Sequence, residues 1–143
     1  MSNQYWIFIP LLAQVILTIM VWLWMYKTRI TEMKIKKIRP QELATTSDAA
    51  KHLSDVVTPS ENFTNLFEVP VLFYVAVLTL FVTQSADTIT MALACLFVAL
   101  RYVHSFIHVT YNQVMHRFLV YIAGALVLYV LWVAIAIILI ERM

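Results

Sequence analysis

The chain contains 143 residues, of which 62% are hydrophobic and 13% are charged, and its formal net charge is +2. A soluble domain has about a quarter charged residues, whereas residues 1–26 and 118–140 contain no Asp, Glu, Lys or Arg. This composition excludes an ordinary soluble protein and predicts an integral membrane protein. The small net charge gives no indication of nucleic-acid binding, and the length leaves no room for a separate soluble catalytic domain.

Four apolar segments occur along the chain, each close to the ~20 residues that a helix needs to cross hydrocarbon. They cover residues 5–26, 60–82, 88–110 and 117–140. The apolar runs do not alternate with polar residues, which excludes the strands of an outer-membrane barrel. The sequence therefore predicts an all-α protein, a four-helix membrane bundle that forms a single domain over residues 1–143.

Lysine and arginine are concentrated in the connection between the first two segments, residues 27–59. Seven of the ten occur there: Lys27, Arg29, Lys34, Lys36, Lys37, Arg39 and Lys51. Short loops rich in lysine and arginine face the cytoplasm. We therefore expect this loop to be cytoplasmic and both termini to lie on the non-cytoplasmic side, in the inner (plasma) membrane if the source is a bacterium.

Two local signals refine the helices. Asp87 immediately precedes the third segment, and its carboxylate can accept hydrogen bonds from the free amides of the first helical turn. We expect Asp87 to cap that helix. Pro70 has no N–H to donate to the carbonyl of Leu66, so it should kink the second helix beside Glu68.

The second and third segments contain polar residues, although a charge near the middle of a span costs about 2.5–3.5 kcal/mol. Residues three or four apart share a face of a helix. One face of the second segment therefore has Glu61, Asn65 and Glu68, and one face of the third has Arg101, His104, His108 and Tyr111.

Glu68 and Arg101 are expected at the same depth in the membrane. Each lies about ten residues, or roughly 15 Å, from the cytoplasmic end of its helix. The sequence thus predicts a buried ion pair that joins the two helices. The number of polar groups, with His116 and Arg117 at the cytoplasmic rim, exceeds what joining two helices requires and favours a polar pocket open to the cytosol.

Two short patterns carry a family resemblance. The second segment contains Asn65-x-x-Glu68 followed by Pro70, and the third contains Arg101-x-x-His104, with Arg117 sixteen positions after Arg101. On four segments in this order, the combination resembles the MAPEG family, the membrane-associated proteins in eicosanoid and glutathione metabolism, as a divergent bacterial-type member. The resemblance implies a homotrimer of four-helix subunits, with glutathione as cosubstrate at each subunit interface.

The resemblance also implies roles for individual residues. Arg117 would be the catalytic residue, because a nearby cation stabilises the thiolate that acts as the nucleophile. Glutathione would be bound by Asn65, Glu68, Arg101, His104, His108 and Tyr111, with Glu68 at its amino group. Two positions depart from the family pattern: Glu61 stands where active members often have arginine, and His108 stands where tyrosine is usual.

Three functions remain open at this point. The first is a glutathione transferase or peroxidase acting on lipophilic electrophiles that partition into the bilayer. The second is a non-catalytic MAPEG-like protein whose polar face only assembles the trimer. The third is a metal site built from His104, His108 and Glu68, although no metal is expected. The expected partners are membrane lipid, further copies of the chain and lipophilic small molecules, without nucleic acid.

Overall fold

A computed structural model describes residues 4–45, 47, 53 and 57–142 of the chain. Four helical stretches are long and apolar enough to cross a membrane: Gln4–Lys36, Pro59–Val82, Thr88–Val109 and Val114–Glu141. The described residues contain no β-strand. The predicted all-α, four-helix membrane bundle is therefore confirmed.

Five α-helices occur within the described residues, because the second span is divided in two. They are α1 (Phe8–Lys36), α2 (Val57–Asn65), α3 (Val69–Val82), α4 (Thr88–Val109) and α5 (Val114–Glu141). Short 3₁₀ turns occur at Gln4–Ile7 and Pro40–Leu43. The links between α3 and α4 and between α4 and α5 are only a few residues long, which makes these successive spans antiparallel neighbours.

Helix α1 continues past residue 26, where its apolar segment ends. Residues 27–36 contain no glycine or proline, so the helix can persist after it leaves the hydrocarbon. It ends at Lys37, which has a left-handed φ of 55° and donates its N–H to the carbonyl of Met33. At 1.5 Å per residue, the extension projects about 15 Å beyond the expected end of the span.

The second span is interrupted at residues 66–68, between α2 and α3. Pro70 lies in the first turn of α3 and has no N–H for the carbonyl of Leu66. Glu68 has φ −94° and ψ −99°, outside the helical region. The amide of Leu66 bonds three residues back, to Phe63, in a tightened last turn. The sequence predicts a kink beside Glu68, and the structure shows instead a break in the helix between Asn65 and Val69.

A capping box starts α4. The amide of Thr90 donates to Asp87 Oδ1 at 2.8 Å, and the amide of Asp87 donates to Thr90 Oγ1 at 2.9 Å. The predicted cap is confirmed. The hydrogen bond from the Thr90 amide holds the pKa of the Asp87 carboxyl below its usual range.

Both described ends of the chain bind the turn between α3 and α4. The side chain of Gln4 accepts from the amide of Ala86 at 2.9 Å and donates to its carbonyl at 3.1 Å. Arg142 donates from Nη1 to the carbonyl of Thr83 at 2.6 Å and from Nη2 to that of Gln84 at 3.4 Å. The start of α1 and the end of α5 therefore meet at the same end of the bundle.

The largest apolar core involves α3, α4 and α5. Phe73 stacks on Phe97 with ring centroids 4.8 Å apart, and Leu128, Leu131 and Ile135 bury their side chains in the same cluster. In each span, only 28–39% of the most apolar window is buried inside the chain. The remaining apolar surface faces outward, where it can contact lipid.

Candidate functional site

The break in the second span leaves a backbone carbonyl available to Arg101. In a continuous helix the carbonyl of Asn65 would accept from the amide of Val69, but α2 ends at Asn65. Arg101 of α4 donates to this carbonyl from Nη2 at 2.8 Å. The guanidinium, in a side chain that is only 2% exposed, thus lies at the C-terminus of α2, where the helix dipole favours a positive charge.

The predicted Glu68–Arg101 ion pair is wrong. Both residues are described, and no salt bridge joins them. Glu68 is exposed at the break between α2 and α3. The prediction assumed one continuous helix, in which Asn65 and Glu68 share a face. The break changes the helical phase, and Glu68 lies on the outer surface.

A cavity of about 220 Å³ lies between α2, α4 and α5. It is lined by Asn65, His104, Val114, Arg117, Phe118 and Tyr121. The ring of Tyr121 connects this cavity to the buried cation, because its centroid is 5.7 Å from Cζ of Arg101 and 5.8 Å from the ring of His104. The cavity therefore has a polar wall on α4 and an aromatic wall on α5.

His104 joins α4 to α5 and has one nitrogen without a partner. Its Nδ1 is 3.2 Å from the carbonyl of Arg117. A carbonyl can only accept, so Nδ1 carries a proton and donates it. The Nε2 atom is buried and has no hydrogen-bond partner. In the neutral ring this nitrogen is an acceptor that is buried from solvent.

Arg117, in the first turn of α5, is held at one nitrogen by two hydrogen bonds. Its Nη1 donates to Nε2 of His108 at 3.0 Å and to Oδ1 of Asn112 at 2.9 Å. The carboxylate of Glu61 is 4.0 Å from the same nitrogen. The Nε and Nη2 groups bond to none of the described residues. Arg117 therefore lines the cavity as a cation fixed at Nη1, with Nε and Nη2 unbonded to the described residues.

Asn112 shapes the turn that brings Arg117 against α4. It has a left-handed φ of 45°, a conformation that asparagine adopts more readily than most residues. Its amide donates to the carbonyl of Ile107 at 2.8 Å, which closes the end of α4. Because its side chain also accepts from Arg117, one residue both ends the helix and fixes the cation.

The polar face of α4 is buried within the subunit. Ser105 donates from Oγ to Oδ1 of Asn62 on α2 at 3.2 Å, and both residues are buried. His104 and His108 are 2% and 1% exposed. The side chains on this face thus contact α2 and α5 of the same chain.

The structure brings together five of the seven residues predicted for the site. These are Asn65, Arg101, His104, His108 and Arg117. Glu68 is exposed at the helix break, outside the cavity. Tyr111 is 56% exposed, and its hydroxyl lies 3.3 Å from Nδ1 of His116. These two side chains do not line the cavity of their own subunit.

Sequence reasoning misses two residues of the site, Tyr121 and Asn112. Tyr121 follows Arg117 by four positions, so helical spacing places both on one face of α5. That spacing is a signal that could have identified it. Asn112 is visible in the sequence as a polar turn residue, but its left-handed backbone and its bond to Arg117 depend on the turn between α4 and α5.

The arrangement does not favour the metal-site alternative. Within the part of the chain that the structure describes, no group of three His, Cys, Asp or Glu residues is placed to hold a metal ion. His108 uses Nε2 to accept from Arg117, and Glu68 is exposed elsewhere. Of the three proposed ligands, only His104 lines the cavity.

The cavity is suited to an anionic ligand. None of its described lining residues is acidic, and Arg117 contributes a cation to its wall. Arg117 lies in the first turn of a 28-residue helix, whose unpaired amides add a partial positive charge. Arg101 lies behind Tyr121 as a second, buried cation. A ligand with carboxylate or thiolate groups would therefore be stabilised here.

Comparison with known protein families agrees with this architecture. The family model of the MAPEG family matches residues 7–137 of the 143-residue chain. The chain belongs to the MAPEG family. The matched range includes every described residue that lines the cavity. No curated protein and no solved structure significantly matches the chain.

Membership of the MAPEG family indicates where the protein is located and its general metabolic role. Together with the four apolar helices, it identifies the chain as an integral, multi-pass membrane protein. MAPEG proteins are generally associated with glutathione and are generally trimeric. Membership therefore indicates a membrane-associated role in glutathione or eicosanoid metabolism.

Proposed function

We propose that the chain is a membrane-embedded glutathione transferase or peroxidase-like enzyme that acts on lipophilic electrophiles. The observation that carries the proposal is the Arg117 guanidinium, which is fixed at Nη1 and unbonded at Nε and Nη2 on the wall of the cavity. MAPEG membership suggests the ligand class. Glutathione has two carboxylates and a thiol, and a cationic cavity favours the ionised form of each.

Arg117 is the proposed catalytic residue. A thiolate is the nucleophile in thiol chemistry, and a cation beside it lowers the pKa of the glutathione thiol. In conjugation, the thiol loses its proton, the sulfur forms a bond to the electrophilic carbon, and the leaving group departs with the bonding electrons. The unbonded Nε and Nη2 of Arg117 would stabilise the negative charge on sulfur before the attack.

The remaining cavity residues would bind the tripeptide. His104 of α4 and Asn65 of α2 line the cavity and would contact the tripeptide. Arg101 would attract a carboxylate from behind Tyr121. Glu68 does not line the cavity but is exposed at the helix break, and there it would bind the amino group of glutathione.

The proposed assembly is a homotrimer. Glu68 is exposed among exposed apolar residues such as Phe67 and Val71, and a carboxylate that faces hydrocarbon is costly. A neighbouring subunit that covers Glu68 would remove that cost. Native mass spectrometry in mild detergent tests the assembly, and a clean monomer would argue against a shared site.

The proposed orientation places the loop between α1 and α2 in the cytoplasm and both termini on the non-cytoplasmic side. In a bacterium, the membrane would be the inner (plasma) membrane. The start of α5, with Arg117, then lies at the cytoplasmic end of its span. Glutathione from the cytosol would reach the cavity from that side, and a lipophilic electrophile would arrive through the bilayer.

The alternative is a non-catalytic MAPEG protein whose polar face only assembles the trimer. This alternative needs the polar residues of α4 at the subunit surface. Arg101, His104 and His108 are instead almost fully buried against α2 and α5 of the same chain. Their burial around a cavity favours a ligand site over an assembly surface.

The decisive experiment measures glutathione binding and turnover separately. We expect calorimetry to show binding at millimolar glutathione or below, and we expect conjugation of a lipophilic aryl halide. Arg117→Ala should change the Kd by only a few fold but lower kcat on the order of 100-fold, because the cation acts mainly in the reactive state. Arg39→Ala, at an exposed arginine that does not line the cavity, is the matched control.

A second variant tests the electrostatics of the site. Glu61 places a carboxylate 4.0 Å from Nη1 of Arg117, where it competes with the carboxylates of glutathione. Glu61→Gln should therefore tighten glutathione binding about two- to five-fold, the range expected for an exposed charge pair. If neither the wild type nor Glu61→Gln binds glutathione at millimolar concentration, the enzyme proposal fails and the non-catalytic alternative replaces it.

A further inference from the structure

His108 is fully buried but does not line the cavity. It is 1% exposed and is absent from the cavity wall that His104, one turn earlier on α4, helps to form. Its Nε2 is already occupied by Arg117. His108 therefore cannot bind a ligand in the cavity directly, although the sequence places it on the same helical face as Arg101 and His104.

The hydrogen bond fixes the chemical state of His108. Arginine can only donate, so Nε2 of His108 must present its lone pair to Nη1 of Arg117. The ring is then neutral and has its proton on Nδ1, a buried atom with no partner. The second N–H of the same Nη1 group is used by Oδ1 of Asn112. Both hydrogens of Nη1 are thus committed to the protein.

These contacts determine which part of the guanidinium faces the cavity. We propose that His108 is a positioning residue that holds Nη1 of Arg117 on the protein side, so that Nε and Nη2 face the reacting sulfur. The effect of His108 on catalysis rests on the proposed function. The His108–Arg117 hydrogen bond does not depend on that function.

The guanidinium of Arg117 could also extend toward water and Glu61, so another residue is needed to hold it at the cavity. Arg117 lies in the first turn of α5, and a long cationic side chain near the end of a span tends to extend toward water. The exposed carboxylate of Glu61, 4.0 Å from Nη1, would draw it in that direction. His108 and Asn112 oppose this movement from the protein side. The other ionisable groups near His108 are His104 and Arg101 on its own helix.

The test compares two substitutions at residue 108. His108→Gln retains an acceptor, because the glutamine Oε1 can occupy about the position of the histidine Nε2, whereas His108→Phe retains a ring without an acceptor. We expect His108→Phe to lower kcat at least ten-fold with less than a three-fold change in the Kd of glutathione, and His108→Gln to recover most of the loss. Arg39→Ala, at an exposed arginine that does not line the cavity, should leave kcat unchanged.

A measurement that does not use activity tests the hydrogen bond itself. Nitrogen-15 NMR of labelled histidine in detergent should show His108 as one neutral tautomer, protonated at Nδ1, in the wild type. In Arg117→Ala the tautomers should mix. If Nε2 of His108 is protonated in the wild type, or if His108→Phe is as active as the wild type, the positioning role is overturned. Absence of glutathione binding with the expected NMR result would refute the proposed function and leave the His108–Arg117 contact established.

Discussion

Arg101 shows how a membrane span can bury an arginine without a carboxylate partner. Its Nη2 bonds to the last carbonyl of α2, and the Tyr121 ring lies near the guanidinium. A helix C-terminus has about half a negative charge from its aligned peptide dipoles. The break before Pro70 is therefore part of the reason that a cation is tolerated at this depth, because an unbroken helix would use the Asn65 carbonyl internally.

We predict that Arg101→Met lowers the free energy of unfolding by about 1–3 kcal/mol, because the partly buried Asn65 carbonyl loses its donor. Glu68→Gln should change it by no more than about 0.5 kcal/mol, since Glu68 is exposed and unpaired with Arg101. Denaturant unfolding in detergent measures both. Equal losses in the two single variants, with no further loss in the double variant, would show a direct Glu68–Arg101 pair and contradict this account.

Residue spacing predicts which side chains share a face only where the helix is continuous. Arg101, His104 and His108 lie on one uninterrupted helix, and the structure buries all three on one face, as their spacing predicts. Glu68 follows a break in the helix, so its separation of three residues from Asn65 no longer indicates which face of the bundle its side chain occupies. Tyr111 lies beyond the end of α4 at Val109, where helical periodicity no longer applies.

At the scale of elements, the helix ends are fixed by local polar contacts. The capping box of Asp87 and Thr90 satisfies amides at the start of α4. Asn112 closes the other end of the same helix and also binds Arg117. The site therefore depends on where α4 ends as well as on which residues it contains.

The capping box gives a pH-dependent prediction. The Thr90 amide lowers the pKa of Asp87 in the folded protein from its ordinary value of 3.8. The stability from the ionised cap is therefore complete above that value and is lost as the pH falls through the lower, folded value. Asp87→Ala should cost about 0.5–2 kcal/mol at neutral pH, and the loss should shrink toward about pH 3.

Thermal unfolding in detergent at neutral and acidic pH measures this effect. Asp87→Asn is the control, because asparagine also caps helices but does not titrate. The stability of the wild type relative to Asp87→Asn should decrease on acidification. A difference that stays constant between neutral pH and about pH 3 would show that the charge of Asp87 contributes nothing.

The ends of α1 illustrate what hydropathy can and cannot predict about an element. An apolar run predicts the length of chain inside hydrocarbon, and the first run ends at residue 26. A helix needs no apolar residues to continue in water when a neighbouring turn supports it. The end at Lys37 depends on a left-handed residue and the Met33 carbonyl, which no local composition signal indicates.

At the scale of the whole molecule, the number of spans can be predicted from the composition of the apolar segments, because few backbone conformations are stable in contact with lipid. Every backbone polar group in hydrocarbon must be satisfied internally, so long apolar segments become helices. The position of the cavity is harder to predict, because it depends on how α2, α4 and α5 meet. That arrangement requires the break in the second span and the tight turn at Asn112. The spacing of residues within one helix predicts which residues share a face, but it does not predict how separate helices are placed relative to one another.

The orientation of the whole molecule gives a prediction that rests on the lysine and arginine asymmetry. Tyr5 and Lys34 are exposed near opposite ends of α1 and can be replaced by cysteine in a Cys95→Ser background, which removes the exposed native thiol. A membrane-impermeant maleimide should label position 34 only from the cytoplasmic side and position 5 only from the opposite side. The reverse pattern would invert the proposed topology.

Gln4 and Arg142 hold the two described ends of the chain against the same turn, between α3 and α4. Ends held at one place can be joined by a short linker, and the chain can be reopened in the loop between α1 and α2. Such a circular permutant would begin with α2 and finish with α1, and its new termini would lie at the other end of the bundle. None of the described cavity-lining residues belongs to α1. The permutant would therefore synthesise α1 last, and it would retain every described residue that lines the cavity.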